Sequence, residues 1–233
     1  MNTVTVTFFE NASAQTKRES QISLIALAEL IRTTTAPRKD LLPWLKLARF
    51  GNRMTEKGSL RNDGNVIAIT GVELDYDGEC VRLDSAVDTA GKVGLNCIIY
   101  TSPSHTIERP RWRILCPTSR ELLPDQRFVM VSRINGLYRG IFGRESWTLS
   151  QAYYYGSIEG RDGRSVELLL GCKAVDELEG LDQIAIGPPG SKSNAAGGSQ
   201  KGPADAEGLI QQIISGESYH PASMSLLGLS TRR

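Results

Sequence analysis

The sequence predicts an α+β fold whose mixed or antiparallel sheet is flanked by helices, and three observations predict it. Runs with strand character recur at 3–9, 65–77, 95–102, 111–118, 150–158 and 164–172. Helical spacing is confined to three stretches between them. The two kinds of segment alternate without the strict repeat that a doubly wound parallel sheet requires.

The first run, TVTVTFF at 3–9, alternates and is β-branched, so it reads as a strand. Ser20 or Ser23 then offers a cap for a helix through SLIALAELIRTT, with Leu24, Leu27, Ala28 and Ile31 on one face. After Pro43 the segment LPWLKLARF is extended, and the polar, glycine-punctuated 51–65 that follows is a loop. NVIAITGVELDYD is the strongest strand of the chain and ends in a turn at Gly78. A short helix near 83–94 and a buried strand LNCIIYTS follow, and then a loop carrying His105. RWRILCPT sets Arg111 and Arg113 against Trp112 and Ile114 in strand alternation. Residues 124–139 read as a helix with Pro124 near its first turn. SQAYYYGSI and RSVELLLGC are two further strands, with Tyr154 expected to pack inward and its neighbours to border a site.

From 187 the composition turns to glycine, serine and proline. The chain therefore divides into a folded domain at 1–186, a flexible linker at 187–206 and the start of a C-terminal helical segment at 207–233. No run of about 18 apolar residues is present and the N-terminus lacks the order of a signal peptide, so a cytoplasmic protein with no membrane partner is expected. The four cysteines stand singly at wide intervals, which fits neither a zinc site nor a disulfide framework.

Net charge is +1, but its distribution is uneven. Residues 71–90 carry six acids (Glu73, Asp75, Asp77, Glu79, Asp84, Asp88) against Arg82 alone, whereas 105–144 carry eight arginines and three acids. An acidic focus followed by an arginine-rich stretch suits a divalent cation held beside a phosphate. In the stretch GVELDYDGE, residues two apart share a face at about 6.6–6.8 Å, so Glu73, Asp75 and Asp77 point one way and Val72, Leu74 and Tyr76 the other. Carboxylates in that pattern repel one another unless cations converge on them. An EF-hand loop is the wrong frame, since Cys80 stands where glycine is required. Downstream, His105 follows a Ser-Pro-Ser turn and precedes Arg111 and Arg113, a combination able to cradle phosphate.

GVELDYDGE, then YTSPSHTIERPRWRILCP, then ESWTLSQAYYYGS, resembles in order the catalytic core of the archaeo-eukaryotic primase superfamily, and within it the primase-polymerases of phages and plasmids. The likeness spans about residues 40–175. It implies an RRM-like core performing template-dependent nucleotidyl transfer. Asp75 and Asp77 would hold two Mg²⁺ or Mn²⁺ ions, with Glu145 as third acidic ligand where the family has Asp, and Asp162 or Glu159 as alternatives. Ser104, His105, Arg111 and Arg113 would bind the nucleoside triphosphate. Single-stranded template, primer and nucleotides are the implied partners, with a helicase domain or partner C-terminal to this region. Two other classes stay open: a replication-initiator DNA-binding domain of the same fold with a weak site, and a two-metal nuclease.

Overall fold

A computed structural model describes residues 3–171 and 173–190; the expected linker beyond 190 and the C-terminal segment lie outside the described residues. The chain forms strands β1 (Thr3–Phe9) and β2 (Lys17–Ser23), helix α1 (Leu24–Thr33), then β3 (Thr35–Ala36), β4 (Trp44–Lys46), β5 (Ala48–Phe50) and β6 (Val66–Tyr76). Helix α2 (Leu83–Lys92), β7 (Cys97–Thr101), β8 (Trp112–Leu122) and helix α3 (Arg127–Leu137) follow. Last come β9 (Tyr153–Tyr154), β10 (Ser157–Ile158), β11 (Val166–Leu169) and the short helix α4 (Leu181–Ile184). The fold is α+β. A five-stranded antiparallel sheet runs β11-β7-β8-β6-β5, a four-stranded antiparallel sheet runs β2-β1-β4-β9, and β3 and β10 form a small parallel pair.

Alternation explains the sorting. On one face of the five-stranded sheet Val72, Leu74, Tyr76, Ile99, Trp112 and Ile114 pack against α2 and α3. On the other, Ile98, Tyr100 and Leu115 meet β1, β4 and α1. The sheet is thus buried on both sides, and the Glu73–Asp75 face lies beneath a second layer. Gly71 marks the point of closest approach. A Cβ there would sit 2.5 Å from Leu47 Cδ1 and 2.6 Å from the Cys116 carbonyl oxygen, beside the register shift between β6 and β8.

Several elements differ from expectation. Strand β2, KRESQIS, has no apolar alternation because it is an edge strand that pairs with β1 alone and is largely open to water. Ser20 belongs to that strand, and Ser23 is the cap of α1, its hydroxyl accepting from the Ala26 N–H at 3.1 Å. Strand β8 continues to Leu122, four residues beyond the expected run. Cys80, Cys97 and Cys116 are free thiols, the last two buried. Among the described residues no helix is long and apolar enough to cross a membrane.

Candidate functional site

Three neighbouring strands of the five-stranded sheet bring their ends together at one edge. Asp75 pairs with Arg113 across β6 and β8, and Arg113 with Tyr100 across β8 and β7. One step further along, the same register sets Asp77 opposite Arg111, whose guanidinium lies 3.8 Å from the Asp77 carboxylate. Ser102 in turn donates its backbone N–H to the Arg111 carbonyl at 2.9 Å. The order Asp77, Arg111, Ser102 is therefore a row across the sheet, each member about 4.8 Å from the next.

The acids of that face have different surroundings. Glu73 is fully buried; Lys46 donates to it at 2.6 Å, Arg127 at 3.1 Å, and the Leu47 N–H also donates. Burial pushes the Lys46 amine down to about 7. Asp75 accepts from Arg113 Nε at 2.6 Å through Oδ1, leaving Oδ2 without a hydrogen-bond partner among the described residues. Arg113 is 3% exposed, donates to the Tyr154 carbonyl at 2.6 Å and lies 4.1 Å from the Tyr154 ring centroid. Much of the charge repulsion expected in GVELDYDGE is thus relieved by protein cations. Asp77 alone is open, its side chain 58% exposed. Desolvation and the neighbouring Asp75 push its carboxyl above the usual value, against the pull of Arg111, Arg113 and Lys39.

The turn after β6 is held by aromatics. Tyr76 stacks on Trp112 at 4.9 Å, and its hydroxyl accepts from the Cys80 and Val81 N–H groups at 2.9 and 2.8 Å. Trp112 Nε1 donates to the Val81 carbonyl. Within this turn Glu79 adopts φ 60, in the left-handed region, and accepts from Arg111 Nε at 3.0 Å. Those hydrogen bonds hold the Glu79 carboxyl below its usual range.

His105 hangs from the same strand end: its Nδ1 accepts the Arg111 N–H at 3.1 Å, so in the neutral ring the proton sits on Nε2. Burial pulls the imidazole below its ordinary value. His105 borders a cleft of about 420 Å³ whose walls include Leu83, Val87, Ile107 and Pro110. Ser104 receives Lys39 Nζ at 3.4 Å, and that ammonium also lies 4.9 Å from the Tyr154 ring centroid. Lys39 was invisible as a site residue in the sequence, since it stands in a 3-10 turn with no periodicity, and Glu79 was legible only as one acid of the acidic stretch.

Two expectations are met differently. The half-buried tyrosine is Tyr154, whose ring lies between Arg113 and Trp44, while Tyr153 and Tyr155 are buried. Glu145 is exposed in the 3-10 turn Arg144–Trp147, and its carboxylate folds back over Gly143. The neighbouring Ser146 reaches the acid face instead, its hydroxyl accepting the Asp75 N–H at 3.4 Å. Among the described residues no three His, Cys, Asp or Glu side chains form a group that could hold a metal ion. Asp75 and Asp77 offer two carboxylates on one face, within the one or two that a Mg²⁺-type cation takes from protein before water and phosphate complete its shell.

Fold and site together define an α+β protein with an acid, arginine and imidazole cluster on adjoining strand ends. No protein-family model and no curated protein matches the chain. Among solved structures it is similar to the AEP domain of the cyanophage S-2L primase-polymerase, at 6% identity and a TM-score of 0.45, over 78% of this chain and 90% of that one.

Proposed function

We propose that the chain is a template-dependent nucleotidyltransferase, a primase or primase-polymerase. The observation that carries this reading is the row Asp77, Arg111, Ser102 with His105 bonded to the Arg111 backbone. It sets a carboxylate beside a guanidinium and an imidazole N–H, the pairing that a metal-bound triphosphate requires. The motif order along the sequence supports it independently.

In this reading Asp75 and Asp77 hold Mg²⁺ or Mn²⁺, and such a cation supplies charge neutralisation at the reacting phosphate and a lowered pKa for the attacking hydroxyl. Arg111, His105 through Nε2–H, and Lys39 beside Ser104 donate to phosphate oxygens. Arg113 contributes through Asp75, fixing the carboxylate that it pairs with. Tyr154 and the apolar wall of the neighbouring cleft limit where the nucleoside rests. The protein's work is positioning and electrostatics, so no nucleophilic side chain is required. Single-stranded template and primer, and a helicase C-terminal to this region, belong to the same proposal.

Primed template, Mn²⁺ and nucleotides resolved on a gel test it. Wild-type protein should extend the primer, and Asp77→Asn should slow extension by about 100-fold or more. DNA binding with no extension would favour the initiator domain instead. A shortened primer would favour a nuclease.

A further inference from the structure

His105 also borders a small cavity of about 20 Å³ that the nucleotide reading does not use. Ser102, His105, Ser157, Arg161, Asp162 and Arg164 are among its lining residues. Ser102 is 5% exposed and its hydroxyl has no hydrogen-bond partner. Buried hydroxyls are nearly always satisfied, so an orphan lining a polar cavity points to a missing acceptor or donor. Two guanidiniums supply the charge. Arg164 donates to the Ser157 hydroxyl at 2.7 Å and Arg161 to the Pro103 carbonyl at 3.0 Å. Neither is paired with a carboxylate among the described residues, which leaves further N–H groups of each available.

The register fixes where this cavity stands. Val166 pairs with Tyr100 across β11 and β7, and the Thr101 N–H donates to the Ser165 carbonyl at 3.0 Å, so Arg164 lies opposite Ser102. The row described above therefore continues as Asp77, Arg111, Ser102, Arg164, negative at one end and positive at the other. Ser102 stands two strand spacings, about 9.6 Å, from Asp77. A cation and a short polyphosphate chain span such a distance.

We infer that the Ser102–Arg161–Arg164 cavity is a seat for a terminal phosphoryl group, the distal phosphate of the nucleoside triphosphate whose reacting end lies at Asp77. The inference rests on the nucleotide reading and extends its row through Ser102 to Arg161 and Arg164, which that reading leaves out. The cavity admits one water-sized group, which suits leading phosphate oxygens with the remainder of the anion outside. Ser102 Oγ–H and the two guanidiniums donate to those oxygens, with Ser157 holding the Arg164 fork in place.

Calorimetric titration of the full chain with tripolyphosphate, in chelator and without nucleoside, tests it. Wild type should bind, and Ser102→Ala, Arg161→Ala and Arg164→Ala should each weaken binding by about tenfold. Ser102→Ala separates a ligand role from a structural one. Removing a hydroxyl that has no internal partner should leave the thermal midpoint unchanged or raised, while binding falls. Unchanged tripolyphosphate affinity in all three variants would overturn the inference, the cavity then holding a water only; so would Ser102→Ala losing stability and affinity together. The nucleotide reading fails separately: if cavity variants lose tripolyphosphate but wild type never extends a primer, the seat stands without the polymerase.

Discussion

Asp75 and Asp77 are two residues apart on one strand and share a face, yet their environments give them opposite tolerance to change. Asp75 neutralises a guanidinium that is 3% exposed, so Asp75→Ala leaves a buried charge unpaired. Losing one partner of such a pair costs about 3–5 kcal/mol. Asp77 has a side chain more than half exposed and a carboxyl raised by desolvation and by the neighbouring Asp75, so Asp77→Asn should leave stability within about 0.5 kcal/mol of wild type. Urea denaturation of the two variants checks both, and equal midpoints would show that Arg113 finds another partner. Asp77→Asn is accordingly the substitution that separates chemistry from folding. The alternation of GVELDYDGE makes this shared face legible in the sequence. The different partners are not, because Lys46, Arg113 and Arg127 lie 27, 38 and 54 residues from the acids they meet.

At the scale of elements, the turn carrying Asp77 and Glu79 is positioned by Tyr76. Its ring is core, stacked on Trp112, and its hydroxyl takes two backbone N–H groups that would otherwise be unpaired. Tyr76→Phe should keep the stack but cost about 1–3 kcal/mol and loosen the turn, lowering extension more than it lowers the content of secondary structure. Circular dichroism with the primer assay reads the two effects apart. Helix α1 was legible because it buries one periodic face, and strand β6 because its long apolar and β-branched run is buried on both faces. Strand β2 was not, since an edge strand open to water needs no apolar period. The tyrosine run misled for a related reason: a two-residue strand ending before Gly156 is too short for alternation to fix its phase.

For the molecule as a whole, Glu73 joins the layers. It sits in β6 of the five-stranded sheet, takes Lys46 from β4 of the other sheet and Arg127 from α3 on the opposite side. Glu73→Ala therefore leaves two buried cations facing one another and should lower global stability by about 3–5 kcal/mol, with one cooperative transition by both fluorescence and circular dichroism. Separate transitions for the two probes would show that the layers unfold independently. The fold class was readable from the order of segments, whereas the parallel pairing of β3 with β10 was not, each strand being two residues long.

That two-residue ladder has a consequence for how ligands influence each other. It ties Thr35 and Ala36, just before Lys39, to Ser157, which holds Arg164. With β6, β7 and β8 it makes the acidic and basic ends of the row parts of one scaffold. Were magnesium to bind at the acidic end and polyphosphate at the basic one, any factor that magnesium lent to polyphosphate affinity would be lent back to magnesium by polyphosphate.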